Sequence, residues 1–188
     1  MRTVIGLFFL GLIATGCGPP GFQLVEPGEV TVGKGLIVRP ARQWSSVTFS
    51  ERQLWTVDSP GLQTLNLIGG LAPGRSLFEP GGANEDSGHV FRANMSASEV
   101  MELVADSIAA DSANLATSDL QPFSLGGVPG FRFTLSYQSE SGLDYRGLCV
   151  GAVHDERLYL MLYTGTAQVY FERYRNDVER LAESARIL

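Results

Sequence analysis

The amino-acid sequence predicts an α+β fold, a mostly antiparallel sheet of six or seven strands covered by helices, and three stretches carry that prediction. From Gly130 to Gln138, Phe131, Phe133, Leu135 and Tyr137 alternate with Arg132, Thr134 and Ser136, the period of two that a strand shows when one face is buried. From Leu158 to Tyr163 the run is apolar on both sides, so that strand needs cover on both faces. Two segments with helical spacing can supply it. One follows Ser96, with Val100, Leu103, Val104 and Ile108 on one stripe; the other is Gln168–Arg186, with Tyr170, Tyr174, Val178, Leu181 and Ala185 three and four residues apart.

Taken in order, Val30–Arg39 reads as a strand with an irregularity at Gly33 and Gly35, followed after Pro40 by strands over Gln53–Asp58 and Leu62–Ile68, themselves separated by Ser59-Pro60-Gly61. Gly69 to Gly88 is rich in glycine and proline and reads as one long irregular loop. Ser96-Ala97-Ser98-Glu99 has the form of a capping box, in which the serine oxygen accepts from the third helical amide and the glutamate reaches back, so the first helix starts there. A β-like stretch near Leu115–Leu125 turns at Gly126-Gly127 into a meander of three strands, Gly130–Gln138, Leu143–Val153 and Arg157–Thr164. Cys149, between Leu148 and Val150, reads as a small buried hydrophobe.

Ahead of this domain the chain carries the order of a secretory signal: Arg2, an apolar run from Val4 to Ala14, then Thr15 and Gly16. The uncharged stretch Thr3 to Gly16 would span about 21 Å as a helix, short of the ~30 Å of a bilayer's hydrocarbon core, which argues against a permanent membrane helix. Ala14-Thr15-Gly16-Cys17 resembles the lipobox of bacterial lipoproteins, with Ala14 and Thr15 where that family more often has Leu and then Ala or Ser. The resemblance implies cleavage before Cys17 and acylation of its thiol and new amine; several acyl chains hold a protein firmly where one does not. The same residues also fit an ordinary cleavage site, Ala14-x-Gly16, which would release a free protein. The expected organisation is a signal peptide over 1–16, a lipid-anchored flexible tether over 17–29 containing Gly18-Pro19-Pro20-Gly21, and a single domain over 30–188. Gly18 is not the aspartate that marks inner-membrane retention in some Gram-negative bacteria, which points to the outer membrane, facing the periplasm.

The strand Gly130-Phe131-Arg132-Phe133, the polar hairpin after it, the aromatic-rich strand, and a last helix ending in Ser184-Ala185-Arg186-Ile187 together resemble the PsbP-like fold. That resemblance implies an antiparallel sheet with helices on both sides, in proteins that bind or assemble rather than catalyse. The resemblance runs from Val30 to Leu188, and no metal or binding residue of the photosystem members is carried over.

Composition narrows the chemistry further. The 188 residues hold 20 acidic against 14 basic side chains, a net charge of −6 with no basic cluster, which speaks against nucleic acid as a partner. The only histidines are His89 and His154. Neither stands in a zinc-ligand spacing, no Gly-x-Ser-x-Gly elbow is present, and the glycine pairs lack the flanking pattern of a phosphate loop, so no cofactor or metal is expected. His154 sits in an expected hairpin turn. Trp44 and Trp55, with Phe49 between them, read first as core and second as a stacking surface. These features predict a noncatalytic cell-envelope lipoprotein, joined to the membrane through Cys17 and acting as a binding or assembly module for an envelope protein. The alternatives are a small-ligand carrier, with a pocket near the 69–88 loop contacted by Arg75, Phe78 and His89, and a hydrolase built on His89.

Overall fold

Strand β10 (Arg157–Thr166) organises the molecule, because every residue from Leu158 to Thr166 is buried. Its side chains alternate between two apolar layers: Leu158, Leu160 and Leu162 belong to one core, and Tyr159, Met161 and Tyr163 to another. Neighbouring residues of a strand point to opposite faces, so the two cores lie on opposite sides of the sheet. The computed structural model describes residues 21–78, 89–109 and 112–188.

Along the chain come β1 (Gln23–Val25), β2 (Val30–Val32), β3 (Leu36–Val38), β4 (Trp44–Phe49), β5 (Arg52–Thr56) and β6 (Gln63–Leu71), then α1 (Ala97–Ala109). After it stand β7 (Ser112–Leu125), β8 (Val128–Ser139), β9 (Asp144–His154), β10, α2 (Tyr170–Glu183) and β11 (Arg186–Ile187). Eight strands form one antiparallel sheet in the order β1-β4-β5-β6-β10-β9-β8-β7, and β11-β3-β2 form a small second sheet. The large sheet thus has eight strands where the sequence predicts six or seven. Both additions lie at its first edge. β4 carries Ser45 and Ser46 and lacks a clean apolar alternation, and β1 falls in a segment expected to be tether.

The folded chain therefore begins before Val30, since Gln23, Leu24 and Val25 pair with Ser46, Ser45 and Trp44. The expected strand Val30–Arg39 is instead a hairpin. Gly33 and Gly35 hold φ values of +52° and +115°, a region closed to most side chains, and they fold β2 back on β3. The expected loop start at Gly69 also moves, because β6 continues to Leu71. The last helix ends at Glu183, and Arg186-Ile187, read as its tail, pairs with β3.

The two helices lie on opposite faces, each over part of the sheet. α1 packs against β7 and β8, with Val100, Leu103 and Val104 joining Phe131, Phe133 and Leu135 in one core. α2 packs against β9 and β10, and its Phe171, Tyr174, Val178 and Leu181 join Leu148, Val150, Met161 and Tyr163 in the other. Each such side chain contributes roughly 1.5–3 kcal/mol on full burial. Trp44 and Trp55 are both core residues of the α2 side, their rings 6.0 Å apart. Tyr163 donates its hydroxyl to the Tyr170 carbonyl at 2.5 Å, occupying an acceptor in the first turn of α2.

Candidate functional site

The site grows out of a change of character along three strands. On the α1 side of the sheet, β10 presents Leu158, Leu160 and Leu162 and then Thr164. β6, running the other way, presents Ile68 and then Asn66 and Thr64; β8 presents Phe133 and Leu135 and then Tyr137 and Ser139. The register pairs Leu160 with Ile68, Leu162 with Asn66 and Thr164 with Thr64, so all three strands turn from apolar to polar toward the same end. α1 lies against β7 and β8, which leaves the polar end open beside its last turns.

The opening is a cleft of about 370 Å³, within the size range of small-molecule sites. Thr64, Asn66, Leu162 and Thr164 are among its lining residues, with Arg52 and Leu54 from β5, Ser107 and Ile108 from α1, and Tyr137 and Tyr145 from β8 and β9. Phe78, beyond β6, borders it as well. Thr64 and Thr164 share a hydroxyl hydrogen bond of 2.9 Å across the strand pair. Tyr137 and Tyr145 stack at 5.1 Å with an interplanar angle of 7°, and the Tyr145 hydroxyl donates to the Gly61 carbonyl at 2.5 Å. Burial raises the pKa of both phenols, so they remain neutral hydrogen-bonding groups.

Arg52 is the one charged residue of the lining among the described residues. Its Nη1 donates to Asn66 Oδ1 at 2.9 Å, and its guanidinium lies 4.3 Å from the Phe49 ring and 5.9 Å from the Phe78 ring. Burial lowers its pKa. An arginine keeps its charge through such a shift.

Of the three contact residues expected from sequence, only Phe78 borders this cleft. The charge of Arg75 acts on Glu51, helping to hold that carboxyl below its ordinary range after the larger effect of the Ser50 hydroxyl. Around Arg75 the backbone is fixed, since its carbonyl accepts from the Phe91 amide at 2.9 Å and Gly74 donates back to the Phe91 carbonyl. His89 is exposed, with Nδ1 3.9 Å from Asp106 Oδ2, and no serine bonds to it among the described residues. Cys17, like Asp86 and Ser87 beside His89, lies outside the described residues. Sequence reasoning passed over Arg52, Asn66, Thr64 and Thr164. The signal for them was present as polar residues at sheet-facing positions of strands that are otherwise apolar.

No family model matches the sequence, and neither does any curated protein. Among solved structures the chain is similar to the solution structure of cyanobacterial PsbP (CyanoP) from Synechocystis sp. PCC 6803, at 14% identity over 95% of this chain and 99% of that one, with a TM-score of 0.49. It is also similar to LpqN, involved in cell envelope biogenesis of Mycobacterium tuberculosis, at 12% identity over 91% of this chain and 86% of that one, with a TM-score of 0.39.

Chemically, the cleft offers hydroxyls, an amide, two phenols and one cation beside aliphatic and aromatic walls. Among the described residues, none that lines it is a histidine, cysteine or carboxylate. Among the described residues no group of three or more such side chains stands close enough to hold a metal ion. What the arrangement can do is hold and orient a small molecule: apolar walls take up surface and a few polar groups fix direction.

Proposed function

We propose that this chain is a noncatalytic binding module of the bacterial cell envelope whose α1-side cleft holds a small ligand. The observation that carries this reading is the polar end of the sheet. Thr64, Asn66 and Thr164 stand where Ile68, Leu160 and Leu162 continue the core pattern, and α1 stops short of covering them. Core residues at those positions would add apolar burial, so the polar set favours contact with something other than the protein's own interior. The lipobox resemblance at Cys17 supports the envelope as its location and a lipid anchor as its attachment. Its role there is to bind or carry, and an envelope protein partner would read the loaded and empty states.

A variant that fills the cleft tests the reading. Ser107 bonds only its own helix, its hydroxyl donating to the Leu103 carbonyl at 2.7 Å, so Ser107→Trp places an indole in the cleft without removing a tertiary hydrogen bond. The chain purified from the cells that make it should release, on denaturation, at least one small molecule that mass spectrometry finds missing from the Ser107→Trp preparation. Identical small-molecule profiles from the two preparations would sink the reading.

A further inference from the structure

The charge and the hydrogen-bonding groups of the cleft narrow its ligand to one class. Arg52 has five N–H donors, of which one reaches Asn66; stacking over Phe49 occupies a face of the guanidinium and leaves its edges available. No carboxylate among the described residues pairs with it, and burial alone accounts for its shifted pKa. Because an arginine can only donate, the Asn66 oxygen must face it, which leaves the Asn66 amide nitrogen with two further donors. A half-buried cation with one neutral partner among the described residues is a cost to folding that an anion in the cleft would offset. The single cation among the described lining residues suits a monoanion, whereas a phosphate dianion calls for several positive groups or a nest of backbone amides.

We propose that the cleft takes a small organic carboxylate, with its anionic group on Arg52 and Asn66 and its apolar or aromatic body against Leu54, Ile108, Leu162 and Tyr137. Planar carboxylates match the guanidinium fork, and the donors beside it complete the anion's shell. Along the rest of the cleft the Thr64 and Thr164 hydroxyls are paired to each other, so they neither demand nor exclude a polar group on the ligand body. This inference rests on the reading of the cleft as a ligand site, and the two can fail separately.

Methyl NMR of the full chain in nanodiscs gives reporters at Leu54, Ile108 and Leu162, and matched probes that differ only in charge decide the question: benzoate against benzamide, and 4-hydroxyphenylacetate against its amide. The expected result is that the carboxylates shift these methyl signals and bind at least tenfold more tightly than the amides at low salt. Arg52→Gln should abolish the difference between acid and amide. Asn66→Asp keeps the side-chain shape and gives Arg52 an internal carboxylate, so it should weaken carboxylate binding tenfold or more with the rest of the spectrum unchanged. Acids and amides binding equally, or Asn66→Asp binding acids as well as the parent, would overturn the anion inference and leave the cleft reading standing. Probes that move none of the three methyl signals would overturn both.

Discussion

Gly69 and Gly33 meet where the small sheet touches the large one. A β-carbon on Gly69 would stand 2.0 Å from the Val32 carbonyl oxygen, and one on Gly33 would stand 2.2 Å from the Gly69 carbonyl oxygen. The closeness is what lets the Lys34 amide donate to the Gly69 carbonyl at 2.6 Å. Neither neighbour can rotate away, because both are backbone. Gly69→Ala should therefore cost about 1–3 kcal/mol, the usual range for forcing volume into a packed contact, read as a lower denaturation midpoint. An unchanged midpoint would mean that the two sheets do not meet at this point. From sequence Gly69 reads as the start of a long loop, and the difference from the strand it occupies is instructive. A glycine that bends the chain and a glycine that admits another backbone look alike until the long-range partner is known. The same limit hid Arg52, one residue before the predicted strand start at Gln53, whereas Cys149 was legible because both its sequence neighbours are apolar and it proves buried.

At the scale of elements, helix α1 sets the edge of the cleft, and its start was legible to the residue. Ser96 Oγ accepts from the Glu99 amide at 3.3 Å while the Ser96 amide donates to Glu99 Oε2 at 2.7 Å, the reciprocal pair that the Ser-Ala-Ser-Glu spacing predicts. The Ser96 amide, then its hydroxyl, and then the charge of Arg92 hold the Glu99 carboxyl below its ordinary value. A carboxylate depressed in the folded state contributes stability above its unfolded pKa and loses it as the pH falls through the folded one. Ser96→Ala should lower stability by about 1 kcal/mol near neutral pH. The melting-temperature gap between the parent and Glu99→Ala should shrink as the pH drops below 4.5. A gap that holds constant into strong acid would show that the carboxylate is not the group at work. Local signals of this kind, caps and strand periods, are complete within a few residues. The strands β1 and β4 were illegible for the opposite reason. Their identity depends on the pairing of Gln23–Val25 with Trp44–Ser46, which no local pattern announces.

At the scale of the whole molecule, a lipid on Cys17 would tie the cleft to a surface through the position of the first strand. Because β1 starts at Gln23, the span between Cys17 and the folded chain is shorter than the 17–29 tether the sequence predicts. The five residue-to-residue steps from Cys17 to Phe22 reach at most about 18 Å when extended. A lipid on Cys17 would therefore hold the domain against the membrane with β1 nearest to it. Leu24 of that strand is 61% exposed and Phe22 just before it 52%, unusual apolar exposure at the point where the chain would meet lipid. Cys17→Ser removes the thiol on which acylation and the following cleavage depend, so the expected product is an unprocessed precursor that takes up no labelled fatty acid. The folded domain should keep its melting temperature, since the strand pairing of the described residues starts at Gln23. Mass spectrometry of the mature N-terminus separates the two routes open to Ala14-Thr15-Gly16-Cys17: an acylated Cys17 in the parent supports the anchor, whereas an unmodified Cys17 and normal processing of Cys17→Ser would mean an ordinary signal and a domain free of the membrane.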